Sequence, residues 1–397
     1  MENAVIVDVV RTASGRGKPG GALSETHPVE LLATTLKALT SRNDFDPALI
    51  DDVIAGCVGQ AGEQSANIGR SAVLSAGYPE SVPATTVDRQ CGSSQQALHF
   101  AAQGVMAGAY DVVVACGVES MSRVPMRFAA VGKDPRGPGM VARYPEGLAN
   151  QGIGAELIAA RWKLTREELD EFSALSHQRA AATAEAGGFD NEIVPVEALA
   201  PDGSTFTHTV DQTVRPGTTA EGLAGLKPSF YTEQFAQRFP EIGWHITPGN
   251  SSPLTDGASA ALIMSESKAV ELGLRPRARF HAFALAGSEP LIMLTGPAPA
   301  TRKILARSGL RIDDIDAYEV NEAFASVPLF WAKEFDADPA RLNPRGGAIS
   351  LGHPLGGSGV RLMATMVNYL EATGGRYGLQ TMCEGGGMAN ATIIERL

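Results

Sequence analysis

Cysteine is scarce in this sequence of 397 residues, which contains four: Cys57, Cys91, Cys116 and Cys383. No two of them have C-x-x-C spacing, and their density is far below that of a small secreted scaffold, so neither a zinc site nor a disulfide framework is indicated. We expect reduced thiols in a cytoplasmic protein that binds no metal.

Positive charge and long apolar runs are also sparse. The 33 Lys and Arg residues against 44 Asp and Glu residues give a formal net charge of -11, which argues against the broad basic surface of a nucleic-acid-binding protein. No apolar run reaches the length of about 18 residues that a membrane helix needs, and no basic region precedes the first apolar run. We therefore expect no nucleic acid, no membrane and no export signal, but a small-molecule partner.

The remaining composition is that of a compact globular enzyme. Hydrophobic residues make up 44% of the chain, and 44 glycines are typical of tight turns and close backbone approaches. A chain of 397 residues exceeds the size at which one hydrophobic core stops growing, so two or three packed units are expected.

Two short segments indicate an internal duplication. I-D-D-V-I begins at Ile50 and I-D-D-I-D begins at Ile312, 262 residues later, and the same offset carries Cys91 onto His353. After each landmark comes a stretch of helical periodicity and then a strand-like run that holds a cysteine. Strands alternating with helices predict an α/β fold built from duplicated βαβ halves. Coincidence is the alternative explanation.

The region between the halves, residues 118–249, is rich in turns and contains one clear helix. Thr165 with Glu168 has the capping-box pattern of a helix start, and the glycine pair beginning at Gly187 predicts its end. We interpret this region as an insert that covers the substrate site. The predicted units are an N-terminal half (1–117 and 250–268), an inserted loop domain (118–249) and a C-terminal half (269–397).

Cys91 is the first candidate for chemistry. A short run rich in β-branched residues, Val82 to Val87, leads into D-R-Q-C-G-S-S, and the apolar residues that follow have helical spacing. The pattern predicts a strand-to-helix turn, where unpaired N–H groups and the helix dipole would stabilise a thiolate against the usual cysteine pKa of about 8.5. The alternative is a small buried cysteine with no reactivity.

Three other segments contain a candidate site residue at the end of a predicted strand or before a predicted helix. His353 stands in the glycine-rich run G-H-P-L-G-G-S-G ahead of a helix, although a histidine there can be a turn residue. Cys383 ends an apolar strand and opens E-G-G-G-M, whose N–H groups could face an oxyanion, or the turn is purely structural. Asn321 in N-E-A-F directly follows a strand and needs polar partners, with helix capping as the alternative.

Together, the runs R-Q-C-G-S-S, N-E-A-F, G-H-P-L-G-G-S-G and C-E-G-G-G resemble, in order, the four sequence motifs of the thiolase family, and the resemblance covers nearly the whole chain. It implies an α/β fold of duplicated βαβ halves with mixed five-stranded sheets in a layered α-β-α-β-α arrangement, plus an inserted loop domain. It also implies an acyltransferase that uses coenzyme A as a co-substrate, without a tightly bound cofactor, to cleave 3-ketoacyl-CoA.

The resemblance assigns a role to each matched position. Cys91 would be the nucleophile that takes the acyl group, and His353 the base that activates it. Cys383 would be the acid and base for the acetyl-CoA enolate and the incoming thiol. Asn321 would hold a water that forms one oxyanion hole with His353, and the N–H groups of Cys91 and Gly385 would form the other.

The resemblance also suggests residues for binding. Ser252, in G-N-S-S-P-L-T-D-G, would lie near the pantetheine, and Arg215 is a candidate for the nucleotide end of CoA. Met293 and Phe324 would line the acyl or pantetheine channel, with ordinary loop packing as the alternative for each. The family further implies a homodimer or homotetramer.

Substrate size is inferred from Met126, which ends the run M-S-R-V-P-M. Thiolases that make acetoacetyl-CoA typically carry histidine there, and a flexible thioether adapts better to a long or bulky apolar chain. We expect a degradative enzyme of fatty acid β-oxidation or of other lipid breakdown, such as that of a steroid side chain. Met126 packing within the insert is the alternative.

Other functions stay open at this point: a biosynthetic acetoacetyl-CoA thiolase, a decarboxylating ketoacyl synthase, a cysteine hydrolase, or a silent relative that only binds acyl-CoA. Two positions depart from the family pattern, since many members have Asn where this chain has Asp88 and Gly where it has Ser94. A carboxylate at Asp88, if near Cys91, would raise the pKa of the thiol.

Overall fold

The structure, a computed structural model, describes residues 2–200 and 202–397. In this part of the chain the strands are β1 (Ala4–Thr12), β2 (Gly15–Arg16), β3 (Asp52–Gly56), β4 (Ala84–Val87), β5 (Val112–Ser120), β6 (Ile193–Val194), β7 (Val196–Leu199), β8 (Thr205–His208), β9 (Thr255–Ser265), β10 (Ala278–Gly287), β11 (Ala317–Val320), β12 (Tyr377–Glu384) and β13 (Met388–Arg396).

The α-helices of the same part are α1 (Pro28–Arg42), α2 (Ile68–Ser75), α3 (Ser93–Met106), α4 (Pro138–Arg143), α5 (Gln151–Arg161), α6 (Arg166–Glu185), α7 (Ala220–Ala224), α8 (Glu233–Arg238), α9 (Glu266–Glu271), α10 (Pro297–Ser308), α11 (Ser326–Phe335), α12 (Ala348–Leu351) and α13 (Ser358–Thr373).

The strands of both halves join into one sheet of order β11-β12-β13-β10-β1-β9-β5-β3-β4. In the first half, β3 is parallel to β4 and β5, whereas β9 is antiparallel to β5 and β1, so the five strands form a mixed ladder. The sheets of the two halves are joined where β1 pairs with β10 over two residue pairs. The predicted α/β class with mixed sheets is confirmed.

The second half differs from the predicted five strands, because among the described residues its ladder contains four, β11, β12, β13 and β10. On the outer side of β11, Leu342 makes only an isolated bridge to Tyr318. Asn343 has a φ of 44°, and Pro344 has no N–H to donate, so the ladder cannot continue there.

Helices cover both faces of each half and fill the space between them. α1 and α2 pack on the outer face of the first half, and α10 and α11 on that of the second. Between the halves, α3 and α13 contact each other through buried residues such as Leu98 and Met363. A Cβ on Gly359 would lie 2.1 Å from Gln95 N, so glycine is what allows these two helices to approach so closely. The α-β-α-β-α layering is confirmed.

The duplication is real, but its register differs from the predicted one. β3 and β11 begin 265 residues apart, as do α3 and α13, and β5 and β12. The offset of 262 taken from the repeated I-D-D letters is therefore wrong by three residues. With the offset of 265, His353 corresponds to Asp88 and Cys91 to Gly356. The repeated I-D-D residues occupy positions that differ by three residues relative to the equivalent strands.

The region between β5 and β9 contains α4 to α8 and the separate hairpin β7-β8. α6 begins with the predicted capping box, in which Thr165 and Glu168 exchange side-chain and backbone hydrogen bonds, and the chain turns at Gly187 with a φ of 70°. The boundaries of the three predicted units stay a prediction. Among the described residues, no helix combines the length and the apolarity required to cross a membrane.

Candidate active site

Cys91 lies on the turn between β4 and α3, two residues before the helix begins, as predicted. Gln90 has a φ of 49°, an uncommon conformation for a residue other than glycine. Ser93 stabilises this turn, since its Oγ accepts a hydrogen bond from Arg89 N at 2.9 Å and donates to Gln90 O at 2.6 Å. The Cys91 side chain is buried.

His353 is held by a residue of β9 and by the first residue of α13. Its N–H donates to Thr255 Oγ1 at 3.0 Å, and its Nδ1 lies 2.6 Å from Ser358 Oγ. Ser358 Oγ also lies 2.8 Å from the carbonyl of Pro354, which can only accept. Because the single hydroxyl proton goes to that carbonyl, His353 Nδ1 must donate to Ser358. Nε2 is therefore the unprotonated nitrogen of the ring.

Asn321 is the neighbour of that nitrogen. Its Nδ2 lies 3.4 Å from His353 Nε2, and its backbone N–H donates to Thr381 O at 3.1 Å. The Oδ1 of Asn321 is buried and has no hydrogen-bond partner among the described residues. The N-E-A-F and G-H-P segments are thus brought together, as predicted.

Cys383 and Gly385 approach from the hairpin between β12 and β13. Gly386 and Gly387 have φ values of 83° and 79°, which lets the hairpin turn tightly beside the nucleophile. The N–H groups of Gly385 and of Cys91 itself face Cys91 Sγ and lower the pKa of that thiol. Cys383 is close enough that a charge on Cys91 raises the pKa of Cys383, after the larger effect of burial.

The predicted lowering of the Cys91 pKa is not what the structure gives. Burial, and next the charge of Glu384, raise the pKa of Cys91 to about 12, and the two N–H groups offset this only in part. Asp88, the departure noted above, folds back so that Gln90 N donates to its Oδ1 at 2.6 Å. The carboxylates that act on Cys91 are instead Glu384 and Glu119.

The pKa of His353 is shifted so that the neutral imidazole is favoured. Burial, together with the charge of Arg361, lowers the pKa of His353 to about 3. A raised thiol pKa and a lowered imidazole pKa both disfavour a resting thiolate–imidazolium pair. The neutral thiol and the neutral imidazole are therefore the favoured resting forms of these two groups.

The predicted binding residues lie in several places. Ser252 N donates to Ala323 O at 3.0 Å, beside Phe324, which is buried and packs edge-on against Phe230. Met293 is half-buried with a φ of 60°. Arg215 N donates to His177 Nδ1 at 3.2 Å, and its side chain is exposed.

Met126 is 57% exposed, in the segment between β5 and α4. No described hydrogen bond or buried cluster links it to the cysteines, so its role as a wall of the acyl pocket stays a prediction.

Several residues of the site were not found from the sequence. Ser358 orients His353, and Glu119 accepts from Gly356 N at 2.9 Å and so supports the histidine loop. Ser94, a departure from the family, accepts from Val360 N at 3.1 Å and links the nucleophile helix to the start of α13. These residues could have been found from the sequence as hydroxyl or carboxyl groups within otherwise apolar, buried strands and helices.

The carboxyl group of Glu384 was quoted in C-E-G-G-G without a role. It stands at the end of an apolar strand, where an unpaired charge is unusual. That position alone could have singled it out.

Two neighbouring buried thiols at a turn before a helix, within a duplicated α/β fold, fit an acyltransferase with a cysteine nucleophile. The model of the thiolase N-terminal domain matches residues 4–267, and that of the thiolase C-terminal domain matches residues 274–396. These matches, with the relatives below, mean that the chain belongs to the thiolase family and is an enzyme of that family.

The chain is 49% identical to the steroid 3-ketoacyl-CoA thiolase FadA6 of Mycobacterium tuberculosis, over 100% of this chain and 95% of the relative. It is 46% identical to the 3-ketoacyl-CoA thiolase of Vibrio vulnificus, with 100% of both chains covered. Among solved structures, it resembles the acetyl-CoA acetyltransferase of Bacillus anthracis with a TM-score of 0.89 and 37% identity, over 100% and 99% of the two chains.

Proposed function

We propose that the protein is a degradative thiolase that cleaves 3-ketoacyl-CoA with CoA into acetyl-CoA and a shortened acyl-CoA. The observation that carries the proposal is that the Cys91 and Cys383 thiols are neighbours beside the N–H group of Gly385, while Leu355 and Leu362, from the segment that follows His353, lie in one apolar cluster with Cys91. Carbon–carbon cleavage needs a nucleophile, a proton donor and hydrogen-bond donors for an oxyanion.

In the first half-reaction, Cys91 Sγ bonds to C3 of the substrate while its proton passes to His353 Nε2. The N–H groups of Cys91 and Gly385 donate to the oxygen that becomes negative on C3. The C2–C3 bond then breaks, and its electron pair forms the enolate of acetyl-CoA. The raised pKa of Cys383 supports a neutral thiol there, which protonates C2 and becomes the thiolate.

The enolate oxygen needs a second set of donors. Asn321 Oδ1, which has no partner among the described residues, is suited to hold a water beside His353. That water and the imidazolium formed from His353 would donate to the thioester oxygen.

In the second half-reaction, the thiol of CoA gives its proton to the Cys383 thiolate and attacks the acyl carbonyl on Cys91. The Cys91 sulfur leaves and recovers its proton from His353. The shortened acyl-CoA departs, and both cysteines return to the thiol form, so protons and electrons balance over the cycle.

CoA is proposed as a co-substrate rather than a tightly bound cofactor. Ser252 would contact its pantetheine, Arg215 its nucleotide, and Met293 and Phe324 would line the channel. The unpaired cysteines support a reducing, cytoplasmic compartment. The assembly is proposed to be a homodimer or homotetramer.

The substrate is proposed to be a medium, long or ring-bearing 3-ketoacyl-CoA from lipid degradation. Support comes from relatives named for 3-ketoacyl-CoA and steroid 3-ketoacyl-CoA substrates, and from Met126 in place of histidine. An open pocket gains about 0.8 kcal/mol for each well-buried methylene, or roughly fourfold in kcat/KM.

The test is CoA-dependent thiolysis of a panel that runs from acetoacetyl-CoA to long and ring-bearing 3-ketoacyl-CoAs. We expect kcat/KM to rise with apolar size, and the Met126→His variant to lose part of that rise while retaining turnover of acetoacetyl-CoA. A preference for acetoacetyl-CoA would instead indicate the biosynthetic function. Hydrolysis without CoA, or no turnover of any member, would contradict the thiolase proposal itself.

A further inference from the structure

A buried carboxyl group beneath the nucleophile turn has no part in the mechanism above. Glu384 is the last residue of β12, and its side chain is fully buried. Neither Oε1 nor Oε2 has a hydrogen-bond partner among the described residues. Ionisation of a carboxyl group in such surroundings is costly, so the neutral acid is favoured.

This carboxyl group touches the turn that carries Cys91. A Cβ on Gly92 would lie 2.1 Å from Glu384 Oε1, so the turn and the carboxyl group are in direct contact across a glycine. Asn390 Nδ2 donates to Gly92 O at 2.9 Å and ties the turn to β13. The turn that carries Cys91 is therefore tied to the same hairpin that carries Glu384.

Charge links the two groups. Burial raises the pKa of Glu384 to about 8, and the charge of Arg89 offsets part of the effect. After burial, Glu384 is the largest cause of the raised pKa of Cys91. The titratable and charged groups around this pair are those of Asp88, Arg89, Cys91, Glu119 and Cys383.

We propose that Glu384 is a positioning residue that leaves Cys91 reactive only while its own carboxyl group is protonated. The inference rests on the proposed role of Cys91 as the nucleophile. The neutral acid supports the turn and does not oppose a thiolate. The carboxylate places a negative charge beside the Cys91 sulfur and beside the oxyanion that the Cys91 and Gly385 N–H groups receive. As pH rises and Glu384 ionises, the reactivity of Cys91 therefore increases less than it would beside a neutral residue.

The test is the rate at which iodoacetamide alkylates Cys91 in the full-length enzyme, measured by site-resolved mass spectrometry from about pH 6 to about pH 10. In the wild type, the logarithm of the rate should bend near the pKa of Glu384. In Glu384→Gln the bend should disappear. The ratio of variant to wild-type rate should rise from about one to roughly tenfold, since a neighbouring like charge shifts a pKa by about a unit or more.

Two further variants separate charge from packing. Glu384→Asp keeps a carboxyl group and should keep the bend, even if its overall rate changes. Asp88→Asn removes a neighbouring charge that raises the pKa of Glu384, so it should move the bend to lower pH without abolishing it.

A rate ratio that is constant across the pH range, or a wild-type profile without a bend, would overturn the role of Glu384, because a packing defect acts equally at every pH. Should Glu384→Gln fail to fold, the proposal is still tested by the other two profiles. A bend in the wild type and in Glu384→Asp supports it, and a profile without a bend in either overturns it. Substrate-derived acyl groups on a cysteine other than Cys91 would instead contradict the proposed function.

Discussion

Ser358 should control which nitrogen of His353 is the base, and Ser358→Ala removes that control. The side chain accepts from Nδ1 at 2.6 Å within a buried site. Without it, Nδ1–H is left unsatisfied, at a cost of about 1–3 kcal/mol, and the tautomer with a protonated Nε2 becomes more populated. Since about 1.4 kcal/mol corresponds to tenfold, we expect kcat/KM for thiolysis to fall roughly tenfold to a hundredfold.

The matched control is Ser94→Ala, which removes the acceptor of Val360 N at the start of the same helix without touching His353. It should lower the free energy of unfolding by about 1 kcal/mol and leave kcat/KM largely unchanged. Nitrogen NMR shifts of His353 should report a protonated Nδ1 in the wild type and a mixture in Ser358→Ala. Wild-type kcat/KM in folded Ser358→Ala would refute the tautomer argument.

Three other outcomes follow from the same site. Cys383→Ser should lose carbon–carbon cleavage, because a hydroxyl is a far poorer acid and base near neutral pH, while acylation of Cys91 by a simple acyl-CoA survives; retained thiolysis would move the acid role elsewhere. Gly92→Ala should destabilise the fold by about 1–3 kcal/mol in urea titrations, because its Cβ would meet Glu384 Oε1 at 2.1 Å, whereas Gly137→Ala, with nothing within 4 Å, should be neutral. Burial raises the pKa of Glu319 and of Glu384 to about 8, so the native state holds protons that the unfolded chain releases above about 4.5. The free energy of unfolding should therefore fall as pH rises through this window, by up to about 1.4 kcal/mol per pH unit for each group, and a flat profile would contradict it.

The position of the nucleophile could be predicted because its cause is local. A β-branched run followed by helical periodicity places Cys91 at a strand-to-helix turn whatever the rest of the chain does. The pKa of that thiol is a different matter. It depends on burial and on Glu384, which comes from a strand nearly three hundred residues later and reaches the turn only because Gly92 allows the contact.

The repeat illustrates the same limit. Similar letters at Ile50 and Ile312 indicated a duplication that exists, but the register was wrong, because structural equivalence follows the backbone elements and not the identity of surface residues in a turn. The missing fifth strand of the second half could have been anticipated, since Asn343 and Pro344 stand where a ladder would continue. The tautomer of His353 depends on three groups that only the folded loop brings together.

The most direct test of the central claim is mass spectrometry of the enzyme mixed with a 3-ketoacyl-CoA in the absence of free CoA. The acyl group left after loss of acetyl-CoA should be found on the peptide that carries Cys91, and added CoA should remove it as the shortened acyl-CoA. Cys91→Ala should remain folded and carry no adduct. An adduct on Cys57 or Cys116, or one on Cys91 that CoA does not discharge, would contradict the account.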